Sequence, residues 1–506
     1  MPRRFSFLRA LLLAGMALLI PCFLFTAVNT LFSPWPLYHR SRAALLVLTP
    51  LCLAALLVLL LRLAGSLARR MEEDDRPALL AFALGFFALQ TVLSLAFRHV
   101  PITDAEQCFT AASLLADTGA FETSERAYIY FSRYPFNLGF VYLLSGLFRL
   151  CALAGWQDRF LQTVWLSALL FSAGLAASAR YVRRRGGCRA EARLLLLFPC
   201  TLPFLYCTAE LYTDVFALAF PPVILLCFDH VMEEESIPRR ILWGLAFALA
   251  AFAGMQIRVT AAIAVIACFL QALFERRGRA LLTAGILILA VLLPGSAAVE
   301  RLHARHLGAE NLRTHRLSVW HYLAMGLPIH EDEGYGQYGD GGWLLFSTSF
   351  EDPEARDAAL KTEVRDRIYY LRYPSRMLNM LSRKNLSTFG DGTFRLHEII
   401  EGDEHAPDNP AKQIVYGQGS LHGAYQHLCT AIFIAQLLLC CLSCVQSLRR
   451  RDTRSAALYL TLLGAFLYLC MWETKARYFF MFQMALLASC ALLDLNPSKP
   501  NQKRNR

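Results

Sequence analysis

Charged residues are scarce in this chain: Asp, Glu, Lys and Arg make up 18% of its 506 residues against 56% hydrophobic, and the mean hydropathy is +0.39. A soluble enzyme carries roughly a quarter of its residues charged, so this shortage excludes that class. A disulfide framework is missing too. Most of the fifteen cysteines fall inside apolar runs, as in CLSC at Cys441, and only Cys108 lies clearly in a predicted outer loop. There is no metal-type CxxC pair. HARH spaces His303 and His306 three apart without a third ligand at sensible spacing, and GYGQYGDGG lacks the GxxxxGK[ST] pattern of a phosphate loop. No divalent metal and no cofactor is indicated, and no internal repeat is found.

What the chain has instead is apolar length. Runs near 8–31, 43–65, 77–98, 137–153, 160–180, 192–209, 213–231, 241–256, 258–274, 280–299, 425–447, 455–472 and 477–494 match the 17 to 25 residues or so that a helix needs to cross hydrocarbon. They predict an all-α polytopic membrane protein with about 12–13 transmembrane helices. The net charge of +11 would point to nucleic acid in a soluble protein. Here it sits in short loops between spans, the positive-inside pattern, and no nucleic acid is implied. MPRRFSFLRALLLAGMALLIPCFLF lacks a clear small-x-small cleavage site, and it reads as a retained first helix.

Basic clusters at Arg3, Arg4 and Arg9, at Arg69, Arg70 and Arg76, in YVRRRGGCR, at Arg239 and Arg240, in ERRGR, in RRRDTR and in KPNQKRNR are expected in the cytoplasm. Three crossings then place His99 outside. If 137–153 also crossed, every later basic cluster would fall outside. Twelve full crossings restore the rule, with PFNLGFVYLLSGLFRLCALAG lying as a short or re-entrant helix; thirteen break it at several loops. The predicted outer side gathers 99–134, AELYTD, QIRVT, WETKARYF and one long loop, roughly 301–423.

Four of these stretches hold groups suited to chemistry. In HVPITDAEQCF, Thr103-x-x-Glu106 fits a capping box, which leaves Asp104 to favour the helix dipole or to face a cavity. Arg133 and Tyr134, before a proline, suit either a phosphate or an interfacial anchor. Glu210 and Asp214 divide two nearly contiguous apolar runs, either as a solvated hairpin tip, with Thr213 or Asp214 as N-cap, or facing a polar cavity. Glu473 and Arg477 are four apart and would pair on a shared helix face; alternatively, Lys475 and Arg477 meet an anionic ligand and Glu473 orients them.

The order of these motifs, DAEQ, RYPFNLG, ELYTD, MGL, KNLSTFGDGTF and WETKARYF across about 77–490, resembles the GT-C polyprenyl-phosphate-sugar glycosyltransferases, among them the bacterial protein O-mannosyltransferase-like members akin to glycosyltransferase family 39. The resemblance implies N-terminal transmembrane helices over 1–76, a GT-C-like core over 77–299 with the first catalytic outer loop at 99–134, a large extracytoplasmic loop over 300–423, C-terminal transmembrane helices over 424–494 and a cytoplasmic basic tail at 495–506. It implies Asp104 as the general base of an inverting transfer, with Glu106 assisting or binding acceptor hydroxyls. Arg477 would receive the departing phosphate, helped by Arg133, Arg258 and Lys475. Asp214 and Glu473 would orient the sugar or the basic groups, and Tyr134, Asn137, Tyr212 and Tyr478 would complete the substrate-binding set. The implied partners are a polyprenyl-phosphate-linked sugar, membrane lipids and a glycan, lipid or protein acceptor. The implied place is the cell membrane, with the site extracytoplasmic and both termini cytoplasmic. A transporter or lipid flippase would instead show repeats and midplane charges, and an O-antigen polymerase or ligase shares the large outer loop.

Overall fold

A computed structural model describes residues 7–33, 41–121, 124–330, 333–402 and 407–495. Arg3, Arg4 and the tail from 496 onward lie outside the described residues. Every regular element among the described residues is a helix. Nine are long and apolar enough to cross a membrane: Phe7–Phe32, Arg42–Met71, Arg76–Ala96, Pro135–Leu153, Arg159–Leu197, Thr213–Glu233, Ile237–Ile257, Gly278–Leu307 and His422–Arg449. Three shorter apolar helices, Val259–Phe274, Ala456–Met471 and Ala476–Ala491, lie among them. The protein is an all-helical polytopic membrane protein. Thr213–Glu233 and His422–Arg449 bury 72% of their apolar windows and form the centre, whereas Gly278–Leu307 buries 11% and lines the rim.

One expected span takes a different form. The run 192–209 is not a separate helix: its first residues continue Arg159–Leu197 past a kink at Gly187, where φ is +74°, a conformation that glycine adopts without steric cost. Two 3-10 turns, Leu202–Leu205 and Cys207–Ala209, complete it. Cys188 lies beside Met71 at the start of this segment, and Gln90 and Ser94 bond Phe204 and Thr208 near its finish. The segment therefore runs alongside Arg76–Ala96 from one end of the bundle to the other.

Among the described residues, the arginines of YVRRRGGCR and RRRDTR meet at one end of the bundle. There Arg183 pairs with Asp75 at 2.9 Å and with Glu191 at 2.7 Å, Arg184 and Arg185 reach Glu233 at 2.8 Å, and Arg450 pairs with Asp494 at 3.0 Å. At the opposite end, Arg98 and Asp158 pair at 2.9 Å, so the chain enters and leaves 99–157 at the same end of the bundle. Pro135–Leu153 lies parallel to Thr103–Thr118: Asn137 and Asp104 at their starts share Tyr130, and Arg149 near the finish of one reaches Leu115 near the finish of the other. Gly139 allows this helix to meet the Gln256 backbone, where a Cβ would collide with the carbonyl. The other eight long helices, the three shorter ones and the broken segment make up the rest of the bundle.

Between Gly278–Leu307 and His422–Arg449 the chain builds a helical cap. Its helix Pro353–Leu371 is capped by the Asp352 side chain. The cap has its own apolar cluster, which includes Met325, Trp343, Leu360 and Val364. The buried Arg367 pairs with Glu333, and the neighbouring helix Pro374–Phe389 leads back to the bundle.

Candidate functional site

Asp104 stands in the first turn of Thr103–Thr118, but the capping box expected there does not form. Ile102 is the N-cap with no side-chain cap bond, and Thr103 has φ +52°. Glu106 turns instead to Arg126 at 3.3 Å, on an exposed flank. The Tyr130 hydroxyl donates to Asp104 Oδ1 at 2.9 Å, Asn137 Nδ2 donates to Tyr130 at 2.7 Å, and Tyr212 donates to Asn137 Oδ1 at 3.1 Å. Three separate loops are tied together by this chain of bonds. One Asp104 oxygen is held, and among the described residues the other accepts no hydrogen bond.

Beyond Tyr212 lies a cationic centre. Asp214 is 1% exposed and receives Arg258 on one oxygen and Arg477, at 3.1 Å, on the other. Of the two readings of 210–214, the solvated tip gives way to a buried turn, and Tyr212, with no side-chain cap bond, is its N-cap. The reason is local: the turn packs under the Ala476–Phe482 segment and leaves no path to water. Arg477 lies over the rings of Tyr212 and Tyr478, 5.9 and 5.7 Å from their centroids, and Arg258 lies 4.6 Å from that of Tyr478.

The expected Glu473–Arg477 pair is not formed among the described residues. Glu473 precedes the 3-10 turn Ala476–Phe482 instead of sharing a helix with Arg477, and it hydrogen-bonds Tyr478. Burial pushes the Glu473 carboxyl up. Burial first, and then the nearby Asp214 charge, also push up Glu210, both of whose oxygens are buried and, among the described residues, accept no hydrogen bond. Both shifts favour neutral acids. Among the described residues Asp214 alone forms ion pairs with both guanidinium groups, so two cations face one carboxylate.

A small pocket adjoins this centre, lined by Gln337, Ser387, Arg395, Glu398, Lys475 and Arg477. Phe394 and Arg395 at its wall have φ of +54° and +52°, a costly conformation for side-chain-bearing residues. Lys384 is 1% exposed and donates to the Trp472 carbonyl at 2.6 Å and to Thr474 Oγ1 at 2.8 Å. Thr474 N–H also donates to the Gly336 carbonyl at 2.9 Å, so the cap grips both flanks of Glu473. Tyr134 meets Tyr338 of the cap at 3.2 Å, and Arg133 Nε is buried and has no hydrogen-bond partner among the described residues.

Asp104, Asn137, Tyr212, Asp214, Arg258, Glu473, Arg477 and Tyr478 therefore come together, Lys475 and Tyr134 border them, and Glu106 turns away. Cys108, placed in an outer loop by the sequence, is fully buried. Tyr130, Lys384 and Arg395 escaped the sequence reading. A tyrosine on an amphipathic helix and a lysine on a polar-looking one carry no local signal of their partners. Among the described residues no three His, Cys, Asp or Glu side chains converge as a metal ion would require.

No curated protein matches this sequence. Among solved structures, the crystal structure of ArnT from Cupriavidus metallidurans bound to undecaprenyl phosphate is similar at 16% identity and a TM-score of 0.37, over 83% of this chain and 78% of that one. Residues 43–496 match one protein family over most of the chain. By that match the chain belongs to the family described as conserved hypothetical integral membrane protein.

Proposed function

We propose that the protein is a membrane glycosyltransferase that moves a sugar from a polyprenyl-phosphate carrier to an acceptor hydroxyl with inversion. The observation that carries this reading is the hydrogen-bonded path from the half-buried Asp104 carboxylate, through Tyr130 and Asn137, to Tyr212, whose ring lies 5.9 Å from Arg477, which shares Asp214 with Arg258. A base and an anion receiver held on one frame are what such a displacement requires. Asp104 takes the acceptor proton as that oxygen attacks the anomeric carbon. The bond from that carbon to the phosphate oxygen breaks, and Arg477 and Arg258 receive the charge that develops on the leaving group. The lipid tail stays among the spanning helices. With the basic end in the cytoplasm, the site opens on the outer face.

The test is transfer from radiolabelled polyprenyl-phosphate sugars by the full-length protein in liposomes. The wild type is expected to release label from one of them, and Asp104→Asn to slow release by about 10²- to 10⁴-fold. Full transfer by Asp104→Asn removes the base assignment, and a wild type inert toward every such donor removes the reading.

A further inference from the structure

The stretch RIYYLRYPSRMLNML at 367–381 packs aromatic, aliphatic and basic residues into the corner between Pro353–Leu371 and Pro374–Phe389. Leu371 and Met380 are buried in the cap, but Ile368, Tyr369 and Leu378 are 59%, 65% and 55% exposed. Arg372 lies 3.4 Å from the Tyr369 ring centroid and 4.5 Å from that of Tyr373, and Arg376 lies 4.0 Å from Tyr370 and 4.7 Å from Tyr373. Among the described residues neither arginine pairs with a carboxylate. The corner thus presents two uncompensated cations on an exposed apolar and aromatic surface.

Its position says what covers it. Ser382, one helical turn from Leu378, accepts a 2.7 Å bond from Asn29 near the end of Phe7–Phe32, and Asn385 bonds Thr26 at 2.8 Å. Val28 and Phe32, on that same stretch of the spanning helix, are exposed. The apolar flank of a spanning helix therefore continues into Met377 and Leu378 and ends in the tyrosine–arginine corner. Aromatic rings and arginines mixed in this way suit the boundary between acyl chains and head groups, and guanidinium groups that pair with no carboxylate among the described residues suit phosphate.

We propose that the 368–378 corner docks on the anionic phospholipid head groups of the leaflet beside it, with Ile368, Met377 and Leu378 toward the acyl boundary and Arg372 and Arg376 on lipid phosphates. This docking stands independently of sugar transfer. It also bears on the site, because Lys384 lies less than about two turns beyond Leu378 on the same helix.

The test is hydroxyl-radical oxidation of Tyr369, Tyr373 and Met377 in the full-length protein held in phosphatidylcholine nanodiscs, with or without phosphatidylglycerol. Anionic lipid is expected to slow oxidation of these three side chains, by up to about fivefold for each arginine engaged. The double variant Arg372→Gln, Arg376→Gln is expected to lose that difference while the fully buried Tyr459 stays protected. Equal oxidation in the two discs overturns the proposal, as does lipid-dependent protection that survives in the double variant. Protection that instead grows with protein concentration in detergent assigns the face to a second copy, and also overturns it.

Discussion

Asp214 holds two guanidinium groups at once, and that sharing sets how strongly single residues count. Asp214→Asn strands both cations at a site where Asp214 is 1% exposed, and a loss of about 3–5 kcal/mol is expected, measured as thermal unfolding in detergent. Glu106→Gln breaks only the exposed pair with Arg126, and its expected change is within about 1 kcal/mol. Tyr130→Phe removes the donor to Asp104 without opening a cavity. It should slow transfer by roughly tenfold, the worth of about 1.4 kcal/mol for a hydrogen bond to a charged group, with an unchanged circular dichroism spectrum. At this scale the ionisable members were legible, because Asp104, Asp214 and Arg477 stand beside apolar runs where charge is conspicuous. Their partners were not: the Arg477–Asp214 pair joins residues from opposite ends of the bundle sequence.

The element that governs the site's shape is Pro374–Phe389, whose Lys384 fastens the turn carrying Glu473. Burial lowers the Lys384 ammonium to about 7, against roughly 10.5 in an unfolded chain. Between those values the unfolded chain holds the extra proton, so folding becomes more favourable as pH rises through that window. A neutral amine still has N–H donors for Trp472 and Thr474. Melting temperatures should therefore show the wild type gaining on Lys384→Met from pH 7 toward pH 10, and parallel curves for the two proteins would contradict this. Gly139→Ala tests a second element. The new methyl meets the Gln256 carbonyl, and the expected loss is about 1–3 kcal/mol, read from thermal unfolding. Helix identity was largely legible from apolar length, apart from 192–209. The glycine at 187 and the short turns after it break the helix while hydropathy continues without interruption.

Across the whole molecule, the gathering of basic clusters at one end makes the side on which each loop lies a testable matter. Arg98 and Asp158 meet, so Gly155 should share a side with His99, and Gly186 should lie on the other. In a cysteine-free background, Gly155→Cys is expected to react with an impermeant thiol reagent added outside intact cells. Gly186→Cys is expected to react only after the membrane is opened. Labelling of both from outside would contradict the arrangement. The parity of the basic loops marks 137–153 as the odd segment; Pro135–Leu153 is long and apolar enough to cross, and it packs parallel to Thr103–Thr118.

Hydropathy and loop charge are sums over neighbouring residues, which is why the amino-acid order alone was enough to establish membrane residence, helical class and the common end of the basic loops. Partnership between Asp214, Arg258 and Arg477, the path from Asp104 to Tyr212 and the grip of Lys384 on the Glu473 turn depend on which distant loops come into contact. Packing of the helices sets those contacts, since an order that joins residues far apart in the chain leaves no trace in the local pattern of either partner.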